Sequence, residues 1–360
     1  MSSCESRTIW WDGGLMIIDQ TRLPGELLTL RIKSVRQLVE AILSLRVRGA
    51  PALGAAGAYG IALAAELCRA GSAPEVMADL EIAADMIRGA RPTAVNLSWG
   101  VDRALSAAAA AAKEAETEAE TGVATRAATA TSAGTAEDVR QAALAEAQAI
   151  AEEDIAVNRA LGRIGAKLIE DGDRILTHCN AGRLACVGWG TALGVVRSAV
   201  AAGKSVSVYA CETRPLHQGS RLTCWELKED GIPVTLICDS MSASLMRKGR
   251  IDKVIVGADR ITRDAAFNKI GTYSHAVLAR HHKIPFYVAA PLSTFDRLHE
   301  ESEIVIEERS PEEVTALGGA RLAPQGIEVY NPAFDATPLE LVSGLITEKG
   351  VFRPPLMPPI

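Results

Sequence analysis

Aromatic residues are scarce in this chain, with five Trp, five Tyr and five Phe among 360 residues. Its core must therefore be built from aliphatic and small side chains, and abundant alanine favours helices packed at close range. Cysteine is also sparse and irregular. The seven cysteines (Cys4, Cys68, Cys179, Cys186, Cys211, Cys224 and Cys238) are odd in number and contain no CxxC pair. This excludes a disulfide framework and suggests reduced thiols in a cytoplasmic protein. No Cys or His pair stands at a metal-ligand spacing except the adjacent His281 and His282, whose side chains rarely share one ion, so no metal is expected. A long Lys/Arg run is missing as well. With 38 basic and 44 acidic residues, the net charge of −6 leaves no electrostatic footprint for nucleic acid. Apolar runs such as Ala52–Ala65 and Ala104–Ala112 are interrupted by Gly or flanked by charge. They fall short of the roughly 20 apolar residues of a membrane span. The opening MSSCESRTIWW lacks the basic and apolar regions of a secretory signal.

What is present divides into two textures. WWDGGLMIIDQTRLPGE suggests a short strand pair bounded by turn residues. From Ser34 to about Ile150 the apolar pattern is helical, over SVRQLVEAILSL, GAPALGAAGAYGIALAAEL and APEVMADLEIAADMIRGA. An Ala/Thr-rich stretch near 113–137 has no apolar face and reads as a surface insert. From about position 151, β-branched runs alternate with helical stretches: RILTH, SVSVYACE, PVTLICDS, DKVIVGAD and PFYVAAP. This alternation predicts an α/β protein, with a mainly helical N-terminal domain over 1–150 and a Rossmann-like, doubly wound parallel sheet over 151–360.

Parallel sheets of this kind take ligands beyond the carboxyl ends of their strands. Polar residues cluster at those ends. Cys179 follows RILTH, where proximity to backbone N–H groups and a helix start would lower its thiol pKa, although a small buried hydrophobe is the other reading. Asp259 follows DKVIVGA, where a carboxylate is either the cap of the next turn or a general acid whose pKa is raised by apolar surroundings. Arg48-Gly49-Ala50-Pro51 and Arg91-Pro92 each set a guanidinium beside a helix start, which suits either an anion or a plain surface cap. Gln218 with Arg214, and Asn268 with Lys269 before a Gly turn, are further donor sets. P-loop, GxSxG and HExxH motifs are all missing, so the residues alone imply a phosphate-friendly cleft bearing Cys and Asp.

The segments RGAPALG, RPTAVNLSWG, THCNAG, ETRPLHQGSRLTCWEL, VIVGADRI and NKIGTYSHAVLARHHKIPFYVAAP resemble those of the methylthioribose-1-phosphate isomerases. These share a superfamily with the alpha, beta and delta subunits of the guanine-nucleotide exchange factor for eukaryotic translation initiation. The resemblance runs from about Trp10 to Pro354, the insert excepted. It implies a homodimeric sugar-phosphate isomerase of methionine salvage, working without metal or cofactor. It further implies Cys179 and Asp259 as the acid/base pair, with substrate held by Arg48, Gly49, Ala50, Arg91, Gln218, Asn268 and Lys269. Ribose 1,5-bisphosphate, for which Arg183 would offer a second anchor, and 5-deoxyribose 1-phosphate are alternative substrates. A regulatory subunit without turnover is the alternative from another class.

Overall fold

The computed structural model describes residues 7–92, 94–121 and 135–358, with 114–121 described by backbone alone. The N-terminal region opens with a three-stranded antiparallel sheet, β1 (Ile9–Trp11), β2 (Leu15–Ile18) and β3 (Thr29–Arg31), in that order. The expected strand pair thus gains a third member, because the Leu-Pro-Gly loop returns the chain to pair Arg31 with Met16. Five helices follow: α1 (Val35–Leu43), α2 (Ala50–Leu67), α3 (Ala73–Ala90), α4 (Val95–Thr121) and α5 (Ala136–Gly165). The expected insert near 113–137 has its middle, 122–134, outside the described residues. On its far side Thr135 caps α5 by a reciprocal pair of bonds with Asp138, which satisfies two otherwise orphaned N–H groups.

Helix α2 is long and apolar enough to cross a membrane by composition, yet 72% of it is buried inside the protein. It is the central helix of an alanine-rich core shared with α3, α4 and α5. The scarcity of aromatics acts here through glycine. A Cβ on Gly100 of α4 would overlap the carbonyl of Gly54 in α2, and one on Gly57 would overlap the carbonyl of Leu97. The two helices therefore meet backbone to backbone.

Helix α5 runs unbroken through position 150. Its residues up to Ile155 belong to the helical core, and from Leu161 onward they join the core beneath the large sheet. One helix is thus common to both packing units. The large sheet contains β4 (Arg174–Thr177), β5 (Ser207–Cys211), β6 (Val234–Ile237), β7 (Lys253–Val256), β10 (Phe286–Ala289), β14 (Gly344–Thr347) and β15 (Gly350–Phe352). Their order is β6-β5-β4-β7-β10-β14-β15, parallel except for the β14–β15 hairpin. Helices α6 (Ala192–Ala201), α7 (Cys224–Glu229), α8 (Ser242–Arg247) and α9 (Thr272–His282) connect the parallel strands. Strands β4, β5, β6, β7 and β10 lie in the five stretches where the sequence predicts them; β14, also parallel, lies outside them. A second small sheet, β8 (Arg260–Ile261), β9 (Ala265–Lys269) and β13 (Phe334–Pro338), is antiparallel in the order β13-β9-β8. A short helix α10 (Glu312–Thr315) leads into the hairpin β11 (Ala316–Leu317) and β12 (Ala320–Arg321).

From β4 the chain winds outward through β5 and β6; from β7 it winds the other way through β10 and β14. The strand order therefore reverses between β4 and β7, which opens a crevice beyond their carboxyl ends.

The α2–α4 contact predicts a contrast between two glycines. Gly100→Ala should lower stability by about 1–3 kcal/mol, the usual range for overpacking. Gly89→Ala in α3, where nothing lies within 4 Å of the new Cβ, should be neutral or stabilising by up to about 1 kcal/mol. Denaturant midpoints of the two variants check this, and equal destabilisation would contradict the backbone contact.

Candidate active site

The crevice at the reversal point is flanked by the residues that leave its two strands. His178 and Cys179 follow β4, and Gly257, Ala258 and Asp259 follow β7. Cys179 adopts a left-handed backbone conformation, with φ 64°. It is held there by two threonines: its N–H donates to Thr213 Oγ1 (2.9 Å), and its carbonyl accepts from Thr223 Oγ1 (2.7 Å). Holding a non-glycine residue in this region costs energy and persists only where surrounding bonds enforce it.

The expected lowering of the Cys179 thiol does not occur. Burial pushes it up, with Asp259 adding to the rise, and the positive charges of Arg48 and Lys269 offset only part of this. No helix starts at Cys179; a 3-10 turn (Arg183–Ala185) and a loop intervene before α6. In place of a helix N-terminus, the backbone N–H of Asn180 acts on the thiol and lowers it only in part.

Asp259 is not a helix cap either. Its backbone N–H donates to Phe267 O (2.8 Å) as the chain enters β8. Burial raises its carboxyl above the ordinary range, opposed by Lys269, Arg91 and Arg48 and reinforced by Glu307. The neighbouring Arg260 is ion-paired with Asp296 (3.3 Å) and also lines the cleft.

Arg48 is buried, donating from Nε to Gln20 Oε1 (3.0 Å) and from Nη1 to the carbonyl of Asn180 (3.0 Å), with a further bond to Asn180 Oδ1. Gly49 precedes α2 with φ 90°, and a Cβ there would overlap Ala185. Lys269 ends β9, buried; its Nζ donates to Ala333 O (2.8 Å) and lies 4.7 Å from the centre of the Phe334 ring. Burial pushes its ammonium down while Cys179 and Asp259 pull it up.

The main cleft, about 980 Å³ including its open mouth, is lined by Gly49, Ala50, Arg91, Asn96 and Asp259 on its polar side. Leu53, Phe267, Ile304, Val305 and Phe334 form an apolar wall. Arg91 is ion-paired with Glu307 across the cleft (2.6 Å).

Of the expected residues, Gly49, Ala50, Arg91 and Asp259 line the cleft, whereas Cys179, Arg48, Lys269, Asn268 and Gln218 do not. Asn268 is buried and donates to Thr272 Oγ1 (3.0 Å). Gln218 is buried at the start of a π-helical turn (Gly219–Thr223), with its Oε1 lacking a hydrogen-bond partner among the described residues. Arg183 is also elsewhere. It is paired with Asp230 (2.6 Å) and sits over the Trp225 ring, so it offers no second phosphate anchor in the cleft. Arg214 likewise donates to Val314 O (2.9 Å).

Several contributors carried no sequence signal. Glu307 and the segment from Glu303 to Ile306 sit on an irregular stretch that follows a 3-10 turn, without periodicity to mark them. Glu226 lies within an ordinary amphipathic helix, yet it is fully buried and accepts from Asn180 Nδ2 (2.9 Å), Arg183 N (2.9 Å), Leu184 N (3.1 Å) and Arg197 (2.6 Å).

Residues 46–354 match the pattern of the initiation factor 2 subunit family. A methylthioribose-1-phosphate isomerase from Syntrophotalea carbinolica is 52% identical, over 95% of this chain and 94% of its own length. The crystal structure of 5-methylthioribose 1-phosphate isomerase from Pyrococcus horikoshii is 41% identical and superposes with a TM-score of 0.84, over 97% of this chain and 93% of its own. A crystal structure from A. fulgidus, named as subunit delta of the translation initiation factor eIF-2B, is 56% identical with the same TM-score of 0.84, over 97% of this chain and 96% of its own. With its fold, its length and its sequence all in agreement, this chain belongs to the initiation factor 2 subunit family.

Proposed function

We propose that this protein converts 5-methylthioribose 1-phosphate to 5-methylthioribulose 1-phosphate in methionine salvage. The observation that carries the reading is the pairing of Cys179 and Asp259 across the reversal point, both under the influence of Arg48 and Lys269. The isomerase names of the full-length relatives support the substrate.

In such a substrate the phosphate blocks the anomeric carbon, so the ring cannot open until its oxygen is protonated. A carboxyl kept protonated to higher pH by burial suits that step, which we assign to Asp259. Cys179 as thiolate then takes the proton from C2 and returns it to C1 through an enediol, while the C2 hydroxyl gives its proton to the Asp259 carboxylate as the ketone forms, so both groups regain their starting protonation states. The phosphate is received by Arg91, by the N–H groups at the start of α2 around Gly49 and Ala50, and by the field of Arg48. The family resemblance adds Lys269, Asn268 and Gln218 as substrate contacts; none of the three lines the cleft in this structure. The apolar wall suits the methylthio group.

Phosphorus and proton NMR of the protein with methylthioribose 1-phosphate in deuterium oxide tests this reading. Ketone formation with deuterium at C1 is expected; no ketone would overturn it. Cys179→Ser and Asp259→Asn should each lower turnover by at least about 10²-fold, as loss of acid/base catalysis does. Turnover near that of the wild type in either variant would defeat the roles.

The pH dependence follows from the signs. The active form needs a protonated carboxyl and an ionised thiol, so kcat/KM is bell-shaped, rising through the carboxyl pKa and falling above the thiol pKa. Both are raised. Glu307 contributes to raising Asp259, so Glu307→Gln should move the acid limb to lower pH. It should also lower KM, because Arg91 is released from its carboxylate partner. A pH profile of the variant with an unmoved acid limb would contradict this electrostatic arrangement.

A further inference from the structure

Behind Cys179 the sheet edge gathers three side chains that the isomerisation does not use. His178 follows β4, Cys211 ends β5 and His275 lies in the first turn of α9. Their separations of 64 and 97 residues hide them from any spacing motif. All three are buried, and their donor atoms lie within 4.8 Å of one another.

Each imidazole has one nitrogen committed outward. His178 Nε2–H donates to the carbonyl of Ile270 (2.9 Å). His275 Nδ1 lies 3.1 Å from Ser242 Oγ; in the tautomer in which it donates there, the Ser242 proton goes to the carbonyl of Asp239 (3.1 Å). A carbonyl or hydroxyl on the far nitrogen is the outer-shell arrangement that fixes the tautomer of a metal-bound histidine. In these tautomers the remaining nitrogens, Nδ1 of His178 and Nε2 of His275, carry lone pairs and face each other at 3.2 Å, with Cys211 Sγ 3.5 Å from the latter. Two facing lone pairs repel unless a positive centre lies between them. Two nitrogens, or a nitrogen and a thiolate, on one tetrahedral zinc stand about 3.3–3.6 Å apart, given Zn–N near 2.0–2.1 Å and Zn–S near 2.3 Å. The carboxylate of Asp239 lies 3.8 Å from His178 Nδ1 and is oriented by the N–H groups of Thr213 and Arg214, both at 2.8 Å. It would offset the single positive charge left by a divalent ion on one thiolate.

We propose that His178, Cys211 and His275 form a structural site for one thiophilic divalent cation of the zinc class. Binding replaces the Cys211 thiol proton, which is released to solvent, and involves no redox change. The ion would tie the ends of β4 and β5 to α9 directly behind Cys179, and it takes no part in the isomerisation chemistry.

The test uses the full-length protein stripped with chelator and titrated with Zn²⁺, and in parallel with Co²⁺ as the spectroscopic probe. One Co²⁺ per chain is expected, with a thiolate-to-cobalt charge-transfer band and intense tetrahedral ligand-field bands. The bands should persist in Cys179→Ala and vanish in Cys211→Ser and His275→Gln. Zinc affinity in those two variants should fall by more than the roughly 10–100-fold that loss of an outer-shell partner costs. X-ray absorption of zinc-loaded wild-type protein, which depends on no variant, should give one sulfur and at least two imidazole ligands. A protein that takes up no stoichiometric cobalt, or bands that survive Cys211→Ser, or a zinc shell without sulfur would overturn the proposal.

Discussion

The cleft depends on one fully buried carboxylate. Glu226 is removed from water, which on its own would drive its carboxyl toward the neutral form, yet Arg197 and Arg183 hold its pKa below the ordinary range. It therefore stays an anion inside the protein, and everything around it is arranged to satisfy that charge. Arg197 bridges it to Asp230. The N–H groups of Arg183 and Leu184 point at it and fix the loop after β4. Asn180 donates its amide to it and turns its oxygen to Arg48. Arg48 in turn holds Gln20, whose Nε2 donates to Leu184 O (2.8 Å), closing the circuit. Breaking one member of such a circuit strands a buried charge, which costs far more than any single bond in it contributes. The helical region and the sheet are thus joined by a continuous polar network that passes immediately beneath Cys179.

That network has a consequence for the electrostatics above it. The hydrogen-bond partners of Arg48 are neutral amide and carbonyl oxygens, so its charge remains uncompensated by them and acts on the crevice. Lys269 is in a similar condition, capped only by a carbonyl and an aromatic face. Arg91 is the exception, neutralised by Glu307. Two permanent cations in a partly dry cleft would normally pull Cys179 and Asp259 well down. Both groups are nevertheless raised, so desolvation outweighs attraction at each. An incoming phosphate would cancel much of the remaining attraction and raise them further, which keeps a proton available at Asp259 when the ring oxygen arrives.

Much of this was legible in the sequence because parallel strands announce themselves as short β-branched runs and because ligands collect at their carboxyl ends. RILTH and DKVIVGA place Cys179 and Asp259 at strand ends, and the pairing of β4 with β7 makes those ends neighbours. Pro51 and Gly49 marked the start of α2, and Arg48 beside them. What was not legible belongs to tertiary contact. The segment from Glu303 to Glu307 has no periodicity, so nothing in it revealed that Glu307 would meet Arg91. Asn268 and Lys269 read as donors before a glycine turn, yet they end strand β9, because Phe334–Pro338, far along the chain, supplies the pairing partner. The thiol of Cys179 was expected to be lowered by a helix start that the 3-10 turn displaces. Arg183 looked available from its place in NAGRLA, but only folding brings Asp230 and Trp225 to it. Burial of Gln218 and Asn268 away from the cleft lining is likewise a matter of which face their elements turn inward.

Fold likeness alone does not select a function within this family. The chain superposes with equal TM-scores on a structure named as an isomerase and on one named as an initiation-factor subunit. A shared scaffold is therefore neutral between chemistry and binding, and the decision rests on the site. A binding subunit needs an anion pocket, which Arg91 and the start of α2 supply, but it has no use for a carboxyl and a thiol held at neighbouring strand ends. Nor does it need Cys179 in a left-handed conformation that costs about 1–3 kcal/mol and is held by threonines from two other segments. Strain of this kind persists where the placement of a particular side chain matters. Here it aims the thiol of a residue flanking the same crevice as Asp259, and that is the physical ground for preferring turnover over binding alone.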